Sequence, residues 1–181
     1  MSLFAAVHVP SLQIQLLEAS LPALRGCNWV LGLQQDGSRA KGQDASSGAK
    51  GLGIEAGMPL AEVRRSFPSA QILAPDAAQL SRFRRVLSAL CDARSSLWEV
   101  HDDGDATLDL GPIQHLVGSD LSSWAHQFRL DLEHSVAIRS ARIVFAPTRD
   151  GAETLVRLLH DRESEHVQEA HEQVIRKDNA P

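Results

Sequence analysis

The stretch "WEVHDDGDATLDLGP", residues 98–112, alternates apolar and polar side chains around an Asp-Gly dipeptide. Period-two alternation suits a half-buried strand and Asp-Gly favours a tight turn, so the segment predicts an antiparallel hairpin. Pairing Trp98 and Val100 with Leu110 and Leu108 keeps apolar partners on one face and leaves Asp103, Gly104 and Asp105 at a solvent-facing tip. Four aspartates fall within residues 102–109. That density suits a hard divalent cation, although turn chemistry alone also accounts for it.

Outward from the hairpin, "LFAAVHV" near the N-terminus reads as a buried strand closed by Pro10, and "LQIQLLEASL" as a helix with Leu12, Leu16 and Leu17 on one stripe. "NWVLGLQ" is a second strand. "DGSRAKGQDASSGAKGLG" is rich in Gly, Ser and Asp and reads as a loop or frayed hairpin. "MPLAEVRRSF" predicts a helix with Pro59 in its first turn, "AQILAP" a short strand, and "AAQLSRFRRVLSALCDAR" a long amphipathic helix. After the hairpin come a helix with Asp120 as N-cap, the strand "SARIVFAP", and the start of a last helix at "GAETLVRLLHD". The expected class is α+β, a mixed sheet with helices largely on one face.

The composition, 43% hydrophobic and 23% charged over 181 residues, is that of a globular chain. Cys27 and Cys91 are too far apart to suggest a zinc knuckle or a disulfide framework. No apolar run approaches the length that spans a bilayer, and the N-terminus lacks a basic leader, so the expectation is a soluble, cytoplasmic protein with no membrane partner. The net charge of -5 is uneven. Arg39, Lys41, Lys50, Arg64, Arg65, Arg82, Arg84 and Arg85 make the middle third basic, while the chain after Asp150 is acidic. A polyanion should therefore meet the middle. "GLGIEAG" is spaced G-x-G-x-x-x-G with no strand immediately before it, which argues against a dinucleotide fingerprint. His160, His166 and His171 lack the i, i+4 pairing of a helical metal site and read as surface residues.

Gly53-Ile54 followed by Gly57-Met58-Pro59-Leu60, within "GIEAGMPLAEVRRSFPSAQILAPD" and ahead of a long helix and an acidic hairpin, resembles the palm and fingers of Y-family (UmuC/DinB-type) DNA polymerases. The opening "FAAVHVPSLQIQLLE" is most similar to the ImuB-like branch, whose members have lost catalytic acids and serve as mutagenesis accessory factors. The resemblance covers roughly residues 3–160. It implies a palm-like part at residues 1–10 and 69–160, a fingers-like part at 11–68, and a polar helical tail at 161–181. It also implies that the chain stops where the family continues into thumb and little-finger domains.

The same resemblance assigns positions. The family's metal-binding carboxylates fall on His8, Gly104 and Asp105, a further backbone-oxygen ligand position falls on Pro10, and Asp102 and Asp103 are possible substitutes if the hairpin is shifted. The aromatic that screens the sugar is Gln13. The triphosphate grip reads Ser47, Gly48, Ala49, Lys50, leaving one cation, and a second phosphate-directed lysine falls on Arg149. Arg64, Arg65, Arg82 and Arg85 are the candidate DNA contacts, although arginines on a helix are as readily a solvated face. His8 ending a buried strand also reads as an ordinary satisfied histidine.

Two functions remain open at this stage. One is a non-catalytic accessory factor in DNA repair, translesion synthesis or damage-induced SOS mutagenesis, with weak, salt-sensitive DNA contact and a replicative-type polymerase or other mutagenesis proteins as partners. It needs no cofactor. The other is a metal-dependent nucleotidyl-transfer or phosphoester enzyme with a site rebuilt from Asp102, Asp103 and Asp105, for which Mg²⁺ would be expected.

Overall fold

The computed structural model describes residues 2–33, 40–117 and 120–159. The expected polar tail at 161–181, its histidines, His160 and Arg39 lie outside the described residues. Contacts divide the chain into two compact units, one of residues 1–10, 87–129 and 140–181 and the other of residues 11–86 and 130–139. The boundary expected at residue 68 falls inside the second unit.

The first unit is built on a four-stranded sheet of order β5-β6-β1-β7, with β1 at Phe4–His8, β5 at Trp98–Val100, β6 at Ala106–Asp109 and β7 at Arg142–Ala146. All three pairings are antiparallel. The four strands are those expected from hydrophobic parity. Alternation sends Phe4, Ala6 and His8 to one face of β1 and Ala5 and Val7 to the other. On the first face Phe4, Ala6, Val144 and Ala146 pack with Ala152 and Val156 of a helix at residues 149–159, here α7. On the second, Phe145 meets Trp124 edge-on at 5.7 Å, and Trp124 stacks on Phe128. Both aromatics belong to α6, Leu121–Val136. Helical cover therefore reaches both faces and is not confined to one, because the inner strands β1 and β6 carry small or apolar side chains on each side.

Asp120 caps α6 as expected, its Oδ1 accepting the Ser123 N–H at 2.9 Å. Hydrogen bonds from the Ser123 side chain and backbone hold its carboxyl below the ordinary carboxylate range.

The hairpin differs in register from the expectation. Trp98 pairs with Leu108 and Val100 with Ala106, a slip of two residues. A slip of two keeps every side chain on its face, so the hydrophobic pattern cannot tell the two registers apart. The turn decides. His101 N–H bonds to Asp105 O at 2.8 Å and Gly104 N–H to His101 O at 3.1 Å, with Gly104 at φ 91. This is a three-residue loop, Asp102-Asp103-Gly104, whose last position requires the left-handed conformation that glycine adopts without a Cβ clash.

The second unit has a three-stranded sheet of order β3-β2-β4, with β2 at Trp29–Leu31, β3 at Asp44–Ala45 and β4 at Gln71–Leu73. β4 runs parallel to β2 and β3 antiparallel, so the mixing of directions belongs to this sheet. Val30 packs with Ile54, Leu60 and Val63 on one side, while Trp29 and Leu31 meet Ile14 and Leu17 of α1, Leu12–Ser20, on the other. Further helices among the described residues are α3 at Leu60–Ser66, with Pro59 at its N-cap, α4 at Ala77–Asp92 and, within the first unit, the short α5 at Gln114–Val117.

Part of the expected loop is ordered as α2, Ser47–Gly51. Buried Ser46 starts it by accepting the Ala49 N–H at 3.2 Å while donating to Cys27 O at 2.8 Å. A Cβ on Gly48 would stand 2.6 Å from Asn28 Oδ1 and 3.1 Å from Cys27 O. Here glycine marks close backbone approach rather than a loop.

Candidate functional site at the hairpin turn

β1 ends beside the hairpin turn. β1 pairs with β6 in a register that sets Val7 opposite Ala106, so His8 and Asp105 continue the two strands as neighbours on the α7 face. His8 Nδ1 lies 2.7 Å from Asp105 Oδ1, with side-chain exposures of 19% and 11%. A carboxylate only accepts, so Nδ1 carries the proton of this bond. The expectation that Asp105 points to solvent at the tip is overturned. In the observed register it is the first residue after the turn, and it is buried against β1. Asp102 and Asp103 are exposed on the loop. Asp103 Oδ1 accepts the Asp105 N–H at 3.1 Å, which braces the turn from within.

α7 covers this corner with charge. Arg157 approaches Asp103 Oδ2 at 3.4 Å and Asp105 Oδ2 at 3.5 Å. One turn back, Glu153 Oε1 accepts from Thr107 Oγ1 at 2.9 Å and from Arg149 Nε at 2.9 Å, and Arg149 also pairs with Glu99. Burial would raise the Glu153 carboxyl, but hydrogen bonds from Arg149 and Thr107 outweigh it and hold the group below the ordinary range. The same bonds, from Glu153 and then Glu99, push Arg149 up. His101 stands 3.7 Å from Glu153 and 3.8 Å from Glu99. None of Glu99, Glu153 or Arg157 stands out in the sequence reading. The advance signal for Glu153 and Arg157 is their i, i+4 spacing with Arg149 along one helix face; Glu99 has none.

The impB/mucB/samB family profile matches residues 8–155, most of the chain, from His8 through the hairpin and into α7. The chain belongs to this family, the Y-family polymerase domain. No curated protein sequence matches it significantly. Its fold is similar to that of the insertion ternary complex of Dbh DNA polymerase, with TM-score 0.72 and 19% identity over 86% of this chain and 45% of that one. It is also similar to DinB from Sulfolobus solfataricus, with TM-score 0.68 and 20% identity over 81% and 42%. The chain thus spans less than half the length of these polymerases.

Mg²⁺ binding in a Y-family palm requires converging oxygen ligands in near-octahedral geometry. The residues here do not fit that demand. His8 offers nitrogen, Gly104 offers no side chain, and Asp105 is engaged by His8 through one oxygen and approached by Arg157 at the other. Among the described residues no group of three or more His, Cys, Asp or Glu side chains is placed to hold a metal ion. Asp102, Asp103 and Asp105 do not form such a group.

The remaining assigned positions fall on both units. Lys50, on α2, pairs with Asp44 at 2.9 Å and reaches Ser11 Oγ at 3.3 Å. Arg149, held by two carboxylates, is committed within the first unit. Arg64 and Arg65 form the exposed last turn of α3, and Arg82 and Arg85 lie exposed and three residues apart on α4. All four are within the second unit, and none has an ion pair among the described residues. No described helix is long and apolar enough to cross a membrane.

Proposed function

We propose that this domain is a non-catalytic member of the Y family, of ImuB-like type, acting as an accessory factor in translesion synthesis or damage-induced SOS mutagenesis in the cytoplasm. The observation that carries the reading is the His8–Asp105 hydrogen bond. It turns two of the family's metal-ligand positions toward each other. Nucleotidyl transfer draws on preorganised positive charge at the entering and leaving oxygens, and removing one such interaction costs about 10²–10³ in rate. Two positions without a carboxylate, His8 and Gly104, compound that loss.

The domain's contribution is then binding. Arg64, Arg65, Arg82 and Arg85 supply a weak, salt-sensitive contact to the DNA backbone, and a replicative-type polymerase or other mutagenesis protein supplies the chemistry. Primer extension tests this reading directly. With primed template, all four nucleotides and either Mg²⁺ or Mn²⁺, no incorporation above background is expected. Mn²⁺ is included because it tolerates imidazole better. Steady incorporation that disappears in an Asp103→Ala, Asp105→Ala double variant would overturn the proposal and favour the enzyme.

A further inference from the structure

Two of the hairpin's carboxylates, Asp103 and Asp105, flank Gly104, and the structure surrounds them with donors. His8 takes Oδ1 of Asp105 at 2.7 Å, and Arg157 stands within 3.5 Å of Oδ2 on both aspartates. Like charges this close repel unless a cation lies between them, and a metal-binding palm uses its ions for that purpose. Here the cation comes from α7. We propose that Arg157, seconded by His8, is an internal counter-ion that replaces divalent metal in holding the hairpin, so that the folded palm neither needs nor recruits Mg²⁺. This inference rests on the non-catalytic reading and adds a positioning residue to it: Arg157 acts on Asp103 and Asp105, not on any substrate.

Three features support the assignment. Arg157 is the one cation within ion-pair distance of both Asp103 and Asp105 among the described residues. It is carried on the same helix that seals the Phe4, Ala6 and Val144 face through Ala152 and Val156, so its backbone is fixed by packing. The tip also compensates its own geometry, because Asp103 Oδ1 accepts the Asp105 N–H and leaves Oδ2 for the guanidinium.

Thermal unfolding of the full chain tests the idea, read with and without Mn²⁺ and with chelator. Wild type should unfold at the same temperature in all three. Arg157→Gln should lower the Tm by about 2 °C, as expected for ion pairs in which Arg157 and Asp103 are both more than half exposed. Arg157→Lys, which keeps the charge, should restore most of the loss. Mn²⁺ should raise the Tm of Arg157→Gln and leave wild type unmoved, a response that simple loss of packing would not give. Asp103→Asn, which keeps the acceptor for the Asp105 N–H but removes the charge, should relieve the Arg157→Gln defect in a double variant.

An unchanged Tm in Arg157→Gln, a defect that neither Mn²⁺ nor Asp103→Asn relieves, or a wild-type Tm that rises with Mn²⁺ would each overturn the proposal. Failure of the accessory reading would show separately, as primer extension by the wild-type chain.

Discussion

His8 and Asp105 are 97 residues apart in sequence and 2.7 Å apart in the folded chain, joined across the end of β1 and the return strand of the hairpin. The bond satisfies one oxygen of a nearly buried carboxylate whose other oxygen is approached by Arg157 at 3.5 Å. His8→Ala should therefore cost about 1–3 kcal/mol, the range for leaving a buried polar group without its partner. His8→Asn, which can place an amide N–H near the position of Nδ1, should cost less, and His8→Asp, which sets two carboxylates face to face, should cost more. Urea unfolding of the three variants gives the order, and a His8→Asp chain as stable as wild type would contradict it.

DNA binding by the exposed arginines of the second unit should be electrostatic. Log affinity for duplex should fall with log salt with a slope of about 0.9 per phosphate neutralised, and only a few phosphates should be involved. Replacing Arg64 and Arg65 by Ala should weaken binding equally across sequences and flatten the slope. A sequence preference, or affinity that survives the double replacement, would count against these residues.

The acid side of the stability profile should carry the mark of Glu153. Its folded-state carboxyl is depressed against the unfolded chain, so the ionised form stabilises the fold at neutral pH. That contribution is fully present above the ordinary glutamate range and is lost as pH falls through the depressed value. Glu153→Gln should thus unfold more readily than wild type at pH 7, and the gap should close only as pH falls through the depressed value, below which both carry a neutral side chain. A gap that persists unchanged into acid would argue against the charge effect.

The two thiols should separate cleanly. Cys27 is exposed, whereas Cys91 is buried on α4 and burial, partly offset by Arg94, pushes its thiol up to about 12. The thiolate is the nucleophile, so Cys91 should be inert to a thiol reagent at pH 8. One group per native chain should react promptly and both should react in denaturant. Fast reaction of two groups in the native state would show that α4 opens.

The sequence by itself determined the elements. β1, α1, β2, α3, β4, α4, the hairpin, α6 and β7 all follow from periodicities of two or 3.6 and from Pro, Gly and Asp at their ends, because those signals lie within a few residues of the structure they specify. It also pointed to the family, through the Gly53 to Leu60 motif, and put His8 and Gly104 where the resemblance expects carboxylates. What it could not fix was anything set by pairing between distant segments. Parity left the hairpin register open by two residues, and closure of the loop on Gly104 chose between them, moving Asp105 from the solvent to the β1 interface. α2 was hidden because Ser46 and Gly48 look like loop residues until Cys27 and Asn28 are brought against them. Arg157 carried no more signal than any helical arginine. Only the docking of α7 on the Phe4 and Ala6 face makes it a neighbour of Asp103 and Asp105, because contacts between distant segments are decided by which faces bury together.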